Sequence, residues 1–145
     1  MSGKWFLGIA DVHVGSVFAL VPGGGRGVSE PIKGEDGKVS KLERFRYDAH
    51  KYVNDLQTLY WHEIKALLKK MPKMDYCFIL GDCIEGKQVK SGGAHIITSD
   101  ISEQIDMAVT VLDTICHAVG YPKCYGVRGT PYHVADLGGQ EAEDM

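Results

Sequence analysis

Near its start the chain reads Trp5-Phe6-Leu7-Gly8-Ile9-Ala10-Asp11-Val12-His13, a short apolar run followed at once by two side chains that commonly bind metal ions. Residues 5–10 have the length and composition of a strand buried on both faces. Two later runs follow the same plan. Residues 76–80 lead into Gly81-Asp82, and residues 124–127 lead into Arg128-Gly129-Thr130. The sequence therefore predicts three buried strands, each ending in polar residues.

Helical patterns separate these strands. Residues 45–71 repeat apolar side chains at spacings of three and four and stop before Pro72, which predicts one long helix. Its predicted apolar face comprises Tyr52, Leu56, Leu59, Tyr60, Ile64, Leu67 and Leu68. Residues 101–119 predict a second helix, with Asp100 as its N-cap and Glu103 completing a capping box. The alternation predicts an α/β fold with mostly parallel strands, in one domain over residues 1–145.

The composition is that of an ordinary globular protein. Sixteen basic and nineteen acidic residues give a net charge of -3, so the chain has no global basic footprint for nucleic acid. No apolar run approaches the roughly 18 residues of a membrane span. The four cysteines form no C-x-x-C pair, which favours reduced, mostly buried thiols in a cytoplasmic protein. The glycine-rich segment 23–27 lacks a phosphate-loop motif and is interpreted as a surface loop.

The polar residues at the strand ends predict a metal site. The carboxyl ends of parallel strands share one edge of a sheet, so three segments should bring their polar side chains together there: Asp11, His13, Asp82, Thr130 and His133. Residues two apart in an extended segment point the same way, which would let Asp11 and His13 grip one ion. Mixed carboxylate and imidazole ligands favour manganese, iron or zinc over calcium. Two ions about 3.5–4 Å apart would form the clamp used to displace phosphate esters.

The three motifs together resemble a known family. Asp11-x-His13, Gly81-Asp82-x-x-Glu85 and Gly129-Thr130-x-x-His133 are similar to the first three motifs of the calcineurin-like metallophosphoesterases. The likeness is strongest to phage and bacterial members in which Arg-Gly-Thr-Pro-x-His replaces the usual third motif. The resemblance spans nearly the whole chain but only about the N-terminal half of a family domain. It implies half of an αββα sandwich.

The resemblance also implies roles for single residues. Asp11 and His13 would bind the first ion, and Asp82 would bridge both. His133 stands where the family has its histidine general acid. Thr130 stands where the family usually has a metal-binding asparagine, and a hydroxyl is a poorer ligand than an amide carbonyl. Arg128 and Tyr132 would face the substrate phosphate, or would simply be surface residues at a strand end.

One feature departs from the family. The family completes its metal sites with downstream histidines, including a Gly-His-x-His motif, whereas no histidine follows His133 here. His95 is the nearest substitute. The expectation is therefore a truncated chain, a site completed by another chain, or a degenerate site. A sheet without its second half should also expose a face and an edge, which predicts a dimer, aggregation or dependence on a partner.

Three functions follow as hypotheses. The first is a dinuclear phosphoesterase that hydrolyses a phosphodiester or phosphomonoester. Manganese is its expected metal, with iron, zinc or magnesium as alternatives. The third motif is similar to that of phage relatives that include DNA nucleases. By this analogy, DNA or a nucleotide would be the substrate, and a nuclease is one form of the hypothesis. The second is a non-catalytic, phosphoesterase-like subunit with an incomplete metal site. The third is an unrelated α/β binding module.

Overall fold

Five elements alternate along the chain in the computed structural model, which describes residues 3–22, 53–88 and 92–130. They are strand β1 (Phe6–Ile9), helix α1 (Asp55–Leu68), strand β2 (Tyr76–Ile79), helix α2 (Ile101–Ala118) and strand β3 (Lys123–Gly126). The predicted α/β alternation is confirmed. The glycine-rich segment 23–27, the predicted helical residues 45–52, and both Tyr132 and His133 lie outside the described residues.

The three strands form one parallel sheet in the order β1-β2-β3. Gly8 pairs with Phe78, and Phe78 pairs with Tyr125. Each helix connects one strand to its neighbour, and right-handed crossovers that step in one direction place both helices on the same face. Leu7 and Ile9 pack against the core on that face, and Cys77 is fully buried there.

The opposite face of the sheet is exposed, which corrects the prediction that the strands are buried on both faces. Phe6 is 59 % exposed, and Phe78 and Tyr125 also lie open to solvent. The prediction failed because a continuous apolar run signals apolar residues on both sides of a strand, not a cover on both sides. Within the described part of the chain, helices cover only one side.

Helix α1 begins later than predicted. The Asn54 side chain accepts a hydrogen bond from the Gln57 backbone, and the Gln57 side chain accepts one from the Asn54 backbone. This reciprocal capping box starts the helix at Asp55. The predicted apolar face is also partly wrong. The helix buries Gln57, Trp61 and Leu68, whereas several predicted core residues are exposed: Leu56, Leu59, Tyr60 and Leu67.

Helix α2 follows its prediction closely. The Asp100 side chain accepts hydrogen bonds from the Ser102 and Glu103 backbones, which confirms the N-cap. The predicted link from Glu103 to the cap takes another form, because the Thr98 hydroxyl accepts from the Asp100 backbone and donates to Glu103. The helix buries Met107, Ala108, Val111, Ile115 and neighbouring side chains. Within the described residues, neither helix is both long enough and apolar enough to cross a membrane.

Candidate metal centre

Three predicted ligands meet at the carboxyl edge of the sheet. Asp11 and His13 follow β1, and Asp82 follows β2. One ligand atom from each lies within 4.8 Å of the other two. His13 Nε2 lies 3.7 Å from Asp11 Oδ1. The Asp11 side chain is 73 % exposed, whereas that of His13 is 26 % exposed, so the cluster opens to solvent on the Asp11 side.

The ligands converge through turns and not through an extended segment. Asp11, His13 and Asp82 have φ angles of 52°, 48° and 50°. This left-handed conformation costs a non-glycine residue on the order of 1 kcal/mol or more. A backbone hydrogen bond of 2.9 Å from His13 N to Asp82 O fixes the two turns against each other. The predicted grouping of Asp11 with His13 is present, but its predicted cause, the alternation of an extended strand, is wrong.

Glu85 lies beside the histidine. Its carboxylate is nearly buried, and Glu85 Oε2 lies 3.0 Å from His13 Nδ1. The other oxygen accepts a hydrogen bond from the Gln88 side chain. This approach is an electrostatic contact and lacks the geometry of a hydrogen bond, and the Nε2 atom of the ring lies on the side of Asp11. The sequence placed Glu85 in the second motif but gave it no role. Its position three residues after Asp82 was the available signal.

The segment after β3 closes against Asp82. Thr130 donates two hydrogen bonds to Asp82 Oδ1, from its backbone N–H at 2.8 Å and from its hydroxyl at 3.1 Å. Gly81 makes this approach possible. With φ at 82°, a Cβ built on Gly81 would lie 2.4 Å from the Gly129 Cα. The described contacts use Oδ1 of Asp82 and leave Oδ2 available to an ion.

The loops behind the centre are held by a buried glutamine. Gln104 is fully buried in α2, and its amide nitrogen donates to the carbonyls of Gly86 and Thr98 at 3.0 and 2.7 Å. Its amide oxygen accepts from the Gly86 backbone at 2.9 Å. Gly15 lies so close that a Cβ there would come within 2.5 Å of Gln104. One side chain therefore links α2 to the loops that follow β1 and β2.

The remaining predicted site residues lie in different places. Arg128 is exposed beside the centre, because its backbone passes Gly81. His95 packs against Phe18, with ring centroids 5.5 Å apart, and is not part of the ligand group. Tyr132 and His133 lie outside the described residues.

The donor chemistry suits one divalent ion. Two carboxylates and one imidazole match manganese, iron or zinc. Within residues 3–22, 53–88 and 92–130, this group has three members, which could together hold one ion. Comparison of the chain with models of known protein families, with curated proteins and with solved structures gave no match. Any assignment of chemistry therefore depends on the geometry of this centre and on its motifs.

Proposed function

We propose that this chain is a metal-dependent phosphoesterase that hydrolyses a phosphodiester or phosphomonoester. The observation that supports the proposal best is the convergence of Asp11, His13 and Asp82 at the carboxyl edge of a parallel sheet. That edge is where α/β folds commonly bind their ligands. Three candidate ligands with left-handed backbones add support, because strained backbone conformations cluster at functional sites.

The residues of the chain would prepare the site for divalent ions, manganese being the expected one. Asp11 Oδ, His13 Nε2 and Asp82 Oδ2 would hold an ion. Bound ions at such sites polarise phosphoryl oxygens and lower the pKa of water. Glu85 would hold the imidazole through the charge of its carboxylate beside Nδ1, and Thr130 keeps the Asp82 carboxylate in place. The open side at Asp11 leaves room for a substrate phosphate.

The resemblance supplies the rest of the proposed machinery. Arg128 follows β3 at the same edge, where its guanidinium would bind two phosphate oxygens. Tyr132 would donate a hydrogen bond to the phosphate. His133 would protonate the leaving oxygen as general acid. DNA or a nucleotide is the proposed substrate on the strength of the phage-like third motif alone.

The half-sandwich architecture belongs to the same proposal. Helices cover one face of the sheet, while the other face presents Phe6, Phe78 and Tyr125. A second sheet packed about 10 Å away on that face would complete two central sheets flanked by helices. The exposed aromatic face is the observation that favours this architecture.

A second candidate is a non-catalytic subunit that binds one ion. It is favoured by the ligand count, because three described ligands suit a single ion. It is also favoured by Thr130, whose hydroxyl donates to Asp82 in the position where the family uses an amide ligand. In this reading the centre would be structural or would need ligands from another chain.

Hydrolysis of bis-p-nitrophenyl phosphate with Mn²⁺ tests the proposal. We expect turnover that EDTA abolishes and that Asp82→Asn abolishes while leaving the far-ultraviolet circular dichroism unchanged. Asp113→Asn, at an exposed position on α2, removes the same charge elsewhere and should keep full activity. Turnover that survives in Asp82→Asn would refute the proposed function.

Metal stoichiometry separates the two candidates. Two Mn²⁺ ions per chain with turnover would support the dinuclear phosphoesterase. One ion per chain without turnover, with binding lost in Asp82→Asn, would support the non-catalytic subunit. Isothermal titration with Mn²⁺, alongside metal analysis of the dialysed protein, makes the measurement.

A further inference from the structure

Three cysteines meet on the covered face of the sheet, at a distance from the candidate metal centre. Cys77 in β2 and Cys124 in β3 are direct partners in the parallel register. Cys116 lies in the last turn of α2, and its sulfur is close to those of both strand cysteines. The three sulfur atoms lie within 4.8 Å of one another, and Cys116 Sγ is 3.6 Å from Cys124 Sγ. Two strands and a helix thus position three thiols around one point.

The cluster has a buried side and an open side. Cys77 is fully buried and Cys116 is 9 % exposed, whereas Cys124 is exposed on the edge strand. Burial raises the pKa of the Cys77 thiol, and burial with the neighbouring Cys124 sulfur raises that of Cys116 to about 12. A cation placed among the three sulfurs would supply positive charge that favours their ionised forms. It could enter beside Cys124 and then be shielded by the other two.

We propose that Cys77, Cys116 and Cys124 form a binding site for a soft thiophilic cation, Cu(I). The donor set contains only sulfur, and thiolates select soft ions. Three ligands suit the trigonal coordination of Cu(I), whereas a closed zinc site takes four. The site lies roughly 15 Å from Asp82 along β2 and beyond. The two centres would therefore sort metals by hardness, with harder ions at the carboxylate and imidazole edge and Cu(I) at the thiols.

There are two alternatives to metal binding for these thiols. They could be core residues that bind nothing. Alternatively, Cys116 and Cys124 could form a disulfide, although their 3.6 Å separation must close to about 2.05 Å. Neither alternative predicts that Cys77, buried beneath the pair, would matter for an ion. The requirement for all three sulfurs therefore distinguishes the Cu(I) site.

Anaerobic titration of the full chain with Cu(I), in ascorbate and against the chromogenic chelator bicinchoninate, tests the proposal. We expect one Cu(I) per chain to be retained. Cys124→Ser, at an exposed position, should weaken binding by at least about tenfold. Cys77→Ser should do the same. Cys83→Ser is the matched control, because Cys83 is outside the cluster, and it should bind Cu(I) normally.

The proposal would be overturned if the chain retained no Cu(I), or if Cys83→Ser weakened Cu(I) binding as much as the cluster variants do. It would also be overturned if the mass of the chain fell by two hydrogens, through a Cys116–Cys124 disulfide, and that chain bound no ion. Cu(I) retention by Asp82→Asn is expected, because the two centres are separate. The outcome is therefore independent of the phosphoesterase assay.

Discussion

Backbone strain at the residue scale is concentrated in the candidate metal centre. Five described non-glycine residues have positive φ angles, and three of them are Asp11, His13 and Asp82. A left-handed aspartate or histidine is tolerated better than a β-branched residue, but it still has a cost. The hydrogen bond between the His13 and Asp82 turns offsets part of it. The fold thus keeps the three candidate ligands in strained turns that lie close together.

Gly81→Ala should destabilise the chain by about 2 kcal/mol or more. The new Cβ would meet the backbone of Gly129 at 2.4 Å, and φ at 82° disfavours alanine. Urea unfolding followed by circular dichroism measures the loss. Gly126→Ala is the control, because a Cβ there meets nothing within 4 Å. Equal stability of both variants would mean that Gly81 and Gly129 do not approach each other this closely.

Glu85→Gln should weaken Mn²⁺ binding by about 10–100-fold. The amide keeps the size of the side chain but loses the charge that faces His13 Nδ1 at 3.0 Å, so the imidazole loses its electrostatic partner. Isothermal titration measures the affinity. Glu63→Gln, at an exposed position on α1, removes the same charge far from the centre and should bind normally. Unchanged affinity in Glu85→Gln would show that the contact has no part in metal binding.

The proximity of three polar side chains was predictable from the sequence, but the contacts that surround them were not. Asp11, His13 and Asp82 each follow an apolar run, and parallel strands bring such positions to one edge. The contact of Glu85 with His13 depends on how two loops turn, which strand periodicity does not encode. The hydrogen bonds of Thr130 likewise depend on Gly81 letting a distant segment approach.

At the scale of elements, periodicity located the strands and α2 within one or two residues. It misjudged α1 because the core-facing position there is polar. Gln57 is buried, and its amide donates to the carbonyls of Ser16 and Ala19. Hydrophobic spacing cannot identify a buried glutamine, so the predicted face included Leu56 and Leu59, which are exposed. The capping box at Asn54 was the missed signal for the start of the helix.

Gln104→Ala should lower the free energy of unfolding by about 2–4 kcal/mol. The change leaves the Gly86 N–H and the carbonyls of Gly86 and Thr98 without this partner and opens a space in the core. Ser102→Ala, exposed on the first turn of the same helix, should change stability by less than about 0.5 kcal/mol. Urea unfolding compares the two variants. A small loss in Gln104→Ala would mean that water replaces the amide.

On the scale of the whole molecule, the two layers leave an aromatic surface on the uncovered side of the sheet. Phe6 stacks on Tyr76 at 5.4 Å, and Phe78 stacks on Tyr125 at 5.7 Å. Each of these rings is already stacked on a neighbouring ring, which takes up part of its aromatic face. That arrangement suits packing against another sheet better than stacking against single bases, which need an open ring face.

We expect the 145-residue chain to self-associate through this aromatic face. Monomeric soluble proteins rarely expose a large contiguous apolar patch. A patch of this kind can also pack against the same patch on a second copy of the chain. Sedimentation equilibrium should show a mass that rises with concentration. Phe6→Thr with Tyr125→Thr keeps strand propensity, removes two exposed rings and should shift the chain to monomer. Leu59→Ser removes an exposed apolar side chain from α1 and should leave association unchanged. A monomeric parent chain would contradict the prediction, and equal loss of association in Leu59→Ser would place the contact elsewhere.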